Sequence, residues 1–382
     1  MKKLTFLTAI LLAVPMIGFG QNVNIPDANF KAYLVNNTAI NTNGDNQIQV
    51  SEASAFNGTI YCSSMNIYTL TGIEAFVSLT SLTCSENQLT SLDVSDNPVL
   101  TFLNCALNNL TSLDVSNCTA LTTLLCLDNQ LTSLDVSTCI ALTTLDCINN
   151  QLTSLDVSTC TVLTYLFCDV NQLTSLNVST CTALYILNCY DNQLTSLDVS
   201  TCTALNTLDC HNNQLTSLDV SACTALTYLN CSDNQLTSLN VKNGNNNPYM
   251  DLYAYNNPNL SCIEVDNVVL STNNWLNNNW PIYSIDSTAF FSLNCIGAGI
   301  SDINESNTLM LYPNPTNGDF TITGLELLGT VSTLTLTDMN GKVVKVLDPK
   351  ATKFSMASIK PGVYFLNIIS GNKEEVLKIV KE

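Results

Sequence analysis

Arginine is absent from this 382-residue chain, and histidine occurs once, at His211. Without guanidinium forks the chain lacks the usual means of gripping phosphate. Other basic charge is scarce too. No Lys lies between Lys31 and Lys242, a stretch that holds 17 Asp and Glu. With a formal net charge of −19 the field repels phosphate backbones, which excludes nucleic acid as a partner. A single histidine leaves little room for histidine-based catalysis or a clustered zinc site. After the first twenty residues no apolar run reaches the ~20 residues that a membrane span needs, so no transmembrane segment is expected in the mature protein.

The first twenty residues read as a secretory signal peptide. Met1-Lys2-Lys3 is a short basic start, Leu4 to Gly18 is mostly apolar, and Gly18 and Gly20 are small residues suited to cleavage before Gln21. No Cys follows the expected cut, which argues against a lipid-anchored form. At the other end the composition shifts. Residues 310–382 hold 8 Lys against 7 acids, which marks a domain boundary.

Seventeen cysteines in an exported chain would ordinarily suggest a disulfide framework. Their spacing says otherwise. Cys84, Cys105, Cys126, Cys147, Cys168, Cys189, Cys210 and Cys231 lie 21 residues apart, and six more repeat at the same interval from Cys118 to Cys223. They mark a repeat, of which Leu121 to Ala141 is one copy: L-T-T-L-L-C-L-D-N-Q-L-T-S-L-D-V-S-T-C-I-A. Eight copies start at Leu79, Leu100, Leu121, Leu142, Leu163, Leu184, Leu205 and Leu226. The spacing L-x-x-L-x-C-x-x-N-x-L, with Cys for the third Leu, resembles the leucine-rich-repeat family. The physics agrees. Leu124 and Cys126 alternate with outward neighbours, which is strand periodicity. One copy buries too little apolar surface to fold alone, so the copies must stack. The ladder cysteines then read as buried small hydrophobes.

The unit is nested, its first ten residues echoing its last eleven. Asn97 stands where later copies carry the second-ladder Cys, so that ladder reads as a second turn column. A thin, two-sided parallel solenoid follows, with little or no helix per copy. The Asn of each ninth position (Asn129, for example) reads as a structural turn ladder. The second half of each copy is nearly invariant. Variation concentrates at the outward third, fifth and seventh positions of the first half. Phe102, Asp146, Tyr165, Phe167, Asp169, Tyr190, Asp209, His211 and Tyr228 fall there and form the expected ligand-binding face.

Residues 21–60 read as an N-terminal cap with a short helix near Asp27 to Asn36. The segment that follows is similar to a calcium-binding EF-hand loop. Asn41, Asn43 and Asp45 match its first, third and fifth positions, Gln47 offers a carbonyl, and Glu52 takes the twelfth. The resemblance implies at most weak Ca²⁺ binding, since Asn replaces the first Asp and Asn46 the turn glycine. A polar loop ahead of a helix fits the same residues. No cofactor is required. The solenoid is expected over 61–261 and a C-terminal cap over 262–296, where Cys262 and Cys295 are candidates for a disulfide that seals the end. A linker is expected over 297–308.

Residues 309–382 read as short strands with turn signals at Asn340-Gly341 and Ser370-Gly371-Asn372, and predict a small antiparallel β-sandwich. L-Y-P-N-P-T-N-G at 311–318, D-M-N-G-K-V at 338–343, P-G-V-Y at 361–364 and K-I-V-K at 378–381 resemble the C-terminal sorting domain of the type IX secretion system of Bacteroidetes. That resemblance implies the type IX machinery as a partner and a secreted or outer-surface location. The fold expected overall is mainly β. The function expected is non-catalytic recognition or adhesion, with an extracellular protein or glycan as partner. The alternative is a structural or stress-protective surface protein without a ligand.

Overall fold

The structure, a computed structural model, describes residues 20–244, 250–275, 284–295, 309–323, 325–328, 331–339, 341–351, 353–371 and 373–382. Residues 1–19 of the expected signal peptide, the expected linker, Asn340 and Asn372 lie outside them. The chain divides into two compact units, Met1–Ile296 and Gly297–Glu382.

In the first unit each copy supplies a three-residue strand to a ten-stranded parallel sheet. The strands follow sequence order from Thr59–Tyr61 to Asp251–Tyr253. Register is strict: Phe102 pairs with Thr123, Thr123 with Thr144, and Thr144 with Tyr165. Side chains alternate, so the central Leu of each strand is buried and its neighbours face outward. The second halves form another parallel ladder. It runs through bridges among Asp93, Asp114, Asp135, Asp156 and Asn177. Near its end lies a four-stranded sheet made of Ser217–Asp219, Ser238–Asn240, Cys262–Glu264 and Phe290–Ser292. No helix interrupts the regular copies from 79 to 244.

Seven side chains per copy fill the space between the ladders. In one copy these are Leu121, Leu124, Cys126, Leu131, Leu134, Val136 and Cys139, all buried. Burial on this scale is worth about 1.5–3 kcal/mol for each large aliphatic. Most of it is realised only when a neighbouring copy covers the face, because stacking is what removes the face from water.

Asparagine closes the first turn. Asn129 Nδ2 donates to the carbonyls of Cys105, Cys126 and Leu127 at 3.1–3.2 Å, and its Oδ1 accepts from Leu110 N at 2.9 Å. One side chain thus ties the backbone of two adjacent copies together and leaves no orphaned group at a buried turn. The second turn uses thiols. Cys139 Sγ sits 3.8 Å from Val115 O and 3.9 Å from Cys118 O, a weak donor over two carbonyls. At both ends of this column asparagine takes over. Asn97 Nδ2 donates to Ile73 O and Phe76 O, and Asn243 Nδ2 donates to Cys223 O. Fifteen cysteines are free and buried, while Cys262 and Cys295 are joined with Cα atoms 5.7 Å apart.

Helix α1 (Ala28–Asn36) caps the first end. Asp27 accepts from Asn29 N and Phe30 N, and Phe30 and Leu34 enter the core. Helix α2 (Val50–Ala55) starts from a capping box between Gln49 and Glu52. Helix α3 (Val268–Trp275) lies near the other end, where Trp275 Nε1 donates to Met250 O at 2.8 Å and its ring meets Phe291. No helix among the described residues is long and apolar enough to cross a membrane.

The second unit has two antiparallel sheets. One holds Met310–Tyr312, Asp319–Thr323 and Phe354–Ser355; the other orders Val343–Val346, Thr333–Thr337, Gly362–Ser370 and Lys373–Lys381. Phe320, Phe354, Leu334, Leu366 and Ile368 form its core. Gly341 and Gly371 take left-handed φ of 75° and 60° at the two hairpin turns.

Candidate functional site

The in-register strands convert sequence position into columns. Along the fifth position Asp146, Phe167, Asn188, Asp209 and Asn230 follow one another. Along the seventh come Ile148, Asp169, Tyr190, His211 and Ser232. The structure thereby gathers Asp146, Phe167, Asp169, Tyr190, Asp209 and His211 on neighbouring strands. Phe102 stands apart, three strands from Tyr165.

Tyr190 and His211 are stacked, with ring centroids 4.5 Å apart and planes 13° apart. His211 Nδ1 meets Asp209 Oδ1 at 2.6 Å, and Asn230 Nδ2 lies 3.2 Å from the same nitrogen. The Asp209 contact holds the imidazole pKa above its ordinary value against the opposing effect of burial. Asp169 is buried, and neither carboxylate oxygen has a hydrogen-bond partner. Burial pushes its carboxyl up to about 6. The Tyr190 hydroxyl opposes that rise by polar interaction but does not reach hydrogen-bond geometry. Burial, reinforced by Asp169, in turn pushes the phenol up to about 12. Asp146 is raised as well, again by burial.

The acids of the second halves behave in the opposite way. Asp114, Asp135 and Asp156 are exposed, and each accepts from the backbone N–H of the serine two residues on, at 2.9 Å. Hydrogen bonds from those serines hold their carboxyls below the usual value. The acids of the second halves are satisfied by their own turns; on the first halves Asp146 and Asp209 accept from the backbone N–H two residues on, while Asp169 has no hydrogen-bond partner.

Aromatic groups border the desolvated acids. Tyr165 is exposed and meets Tyr185 edge to face at 6.3 Å, while Tyr228 meets Tyr253 at 5.7 Å. Tyr185 and Tyr253 are additions that sequence reasoning passed over. Tyr185 sits at a second position where most copies carry Thr or Asn, and Tyr253 belongs to a degenerate last copy whose strand register only the pairing with Tyr228–Asn230 reveals.

A catalytic reading finds little to work with. Burial pushes the Cys210 thiol well above its ordinary value, so it is not a thiolate at neutral pH. Among the described residues, no group of three or more His, Cys, Asp or Glu is placed to hold a metal ion.

In the EF-hand-like loop the side chains bond one another and the backbone. Asn41 Oδ1 accepts from Gly44 N, and its Nδ2 donates to Val35 O and Asp45 O. Asn43 Oδ1 accepts from Asp45 N. Asp45 accepts from Gln47 N, and Gln47 Oε1 accepts from Lys31 Nζ. Glu52 accepts from the backbone of Thr42, Asn43 and Gln49. Gly44, rather than residue 46, takes the left-handed turn, with φ 70°.

Residues 310–382 match the family described as secretion system C-terminal sorting domain. Residues 203–247 match leucine-rich repeats in two copies, and residues 45–150 match the leucine-rich-repeat domain of the endo-beta-N-acetylglucosaminidase EndoS. No curated protein matches the chain. Among solved structures the chain is similar to the functional domain of InlJ from Listeria monocytogenes, which includes a cysteine ladder. Identity is 24%, coverage 95% of this chain and 99% of that one, and the TM-score 0.35. It is also similar to an internalin, InlF, from Listeria monocytogenes, at 19% identity over 68% and 90% with a TM-score of 0.49. A leucine-rich-repeat protein of Leptospira interrogans shows 18% identity over 56% and 75%, with a TM-score of 0.40. The chain thus carries leucine-rich repeats within residues 45–150 and 203–247 and, over residues 310–382, a type IX secretion C-terminal sorting domain, which marks it for secretion and the outer cell surface.

Proposed function

We propose that the protein is a non-catalytic recognition module, exported to the cell exterior, that binds an extracellular protein or glycan through the strand face of its first half-repeats. The observation that carries this reading is the contrast between the two faces. Thr, Ser and Asp recur on the second halves with every carboxylate turn-bonded, whereas the first halves differ from copy to copy. There they gather Tyr165, Phe167, Tyr190 and Tyr228 around Asp146, Asp169 and Asp209, of which Asp169 is buried with no hydrogen-bond partner. Aromatic groups beside desolvated polar atoms are the usual composition of binding hot spots. The EndoS domain and the internalins support the reading only as relatives in fold.

The test is a Tyr165→Ala, Phe167→Ala, Tyr190→Ala variant of the full chain, compared with wild type on a glycan array and in pull-downs from extracellular protein. Loss of at least about tenfold in affinity, or roughly 1.4 kcal/mol, is expected. Undiminished binding by the variant moves the site off this face, and no ligand for the wild type favours a purely structural surface protein.

A further inference from the structure

The recognition reading leaves the chemistry of the ligand open, and the cluster around Asp169 narrows it. A carboxylate buried with both oxygens unpaired is an uncommon arrangement, because a buried charge is retained where something compensates it. Within the chain no positive charge does, and the Tyr190 hydroxyl interacts with it without reaching hydrogen-bond geometry. Asp146 and Asp209 are its acidic neighbours on the face, Asn188 Oδ1 is a further buried acceptor with no donor, and His211 is already engaged by Asp209. No lysine or arginine occurs anywhere from residue 32 to 241, so no basic side chain of these repeats can pair with the cluster. The orphaned groups are all acceptors: two oxygens of Asp169 and one of Asn188. What is missing is therefore a donor that carries positive charge.

The surroundings select among cations. A metal ion needs several ligands converging on a point, and no such group exists among the described residues. Asp146, Asp169, Asn188 and Asp209 are instead spread along in-register strands, one copy apart, with Phe167 and the stacked Tyr190–His211 pair beside them. Separated acceptors bordered by π faces suit an extended organic cation, which satisfies several acceptors at once and lies against rings.

We propose that the Asp146–Asp169–Asn188–Asp209 cluster is a subsite for a cationic nitrogen, filled by an arginine or lysine side chain of a protein partner. This rests on the strand face being the recognition surface, and it deepens that reading by choosing a basic protein segment over a neutral glycan. Asp169 supplies the buried countercharge, Asn188 accepts a second N–H, and Phe167 and Tyr190 flank the cation. The Tyr190 side chain turns aside to admit it.

The chain's single histidine reports on the cluster. His211 faces Asp209, Asp191 and Asp233 and stacks on Tyr190. A cation bound beside Asp169 and Asp209 disfavours a second positive charge, so it lowers the imidazole midpoint. The experiment follows the His211 Hε1 proton resonance against pH in the full chain. The probes are N-acetyl-arginine amide and its neutral isostere N-acetyl-citrulline amide, each at tens of millimolar. The expected result is a fall in midpoint of about half a unit, a threefold change in the protonation constant, with the arginine probe alone. Asp169→Asn removes the response, and Asp146→Asn, at a less buried site, weakens it if the first variant folds poorly. Equal responses to both probes, or none to arginine, overturn the proposal. So does a response to Ca²⁺ in place of arginine, which would make the cluster a metal site. If wild type ignores arginine while the triple alanine variant still loses a captured partner, the face binds by other chemistry and only this inference falls.

Discussion

Asp169 shows how one residue departs from its column. Other copies place Ser, Ala, Leu, Ile, Tyr or His at this seventh position, and none of those leaves a buried charge without a partner. The folded carboxyl titrates near 6, above the ~3.9 of an unfolded aspartate. The folded state therefore holds its proton to higher pH. Stability from this group is full below about pH 4, declines between roughly 4 and 6, and is gone above that range. Solvent screening reduces the effect to about 1–2 kcal/mol. Asp169→Asn removes the ionisable group while keeping its shape. Thermal melts should show the variant more stable than wild type at pH 7 and equal to it at pH 4. A variant less stable at pH 7 would mean that Asp169 already has a satisfying partner within the chain.

At the scale of the element, the strands and turns were legible because stacking repeats each decision in register. Leu at the first and fourth positions and Cys at the sixth announce a buried edge, and Asn at the ninth announces its end. Helix α1 was legible from Asp27, Phe30 and Leu34. Helix α2 was anticipated only as a helix after the loop, without its bounds or its cap, and α3 was not anticipated. Gln49 and Glu52 form a capping box that the loop resemblance hid, and α3 lies beyond the regular copies, where no periodicity guides the eye. The eighth position holds a conflict invisible to pattern reading. Every copy takes a left-handed φ there, between 49° and 54°, and most supply Asp or Asn. Val170 adopts φ 53° with a β-branched side chain, a conformation that costs an L-residue about 1–2 kcal/mol. Val170→Asn should therefore raise the urea midpoint, by roughly 1 kcal/mol in stability. A lower midpoint would show that Val170 contributes packing that outweighs its strain.

For the whole molecule, sequence and structure divide the evidence unevenly. The sorting domain could be named from short motifs because its turns carry Gly and Pro at fixed places. The columns of the strand face could be listed from the repeat. The orphaned oxygens of Asp169 and Asn188, the stacked Tyr190–His211 pair and the roles of Tyr185 and Tyr253 could not, because they depend on contacts between copies. A solenoid turns small differences between copies into one extended surface, and its uniform half serves as the scaffold. The claim that recognition belongs to the variable half is tested most directly by hydrogen–deuterium exchange on the full chain, free and bound to a partner captured by the wild type. Protection should concentrate in peptides covering 165–169, 186–190 and 207–211. Protection confined to the Thr-Ser-Asp segments, with those first strands unchanged, would contradict it.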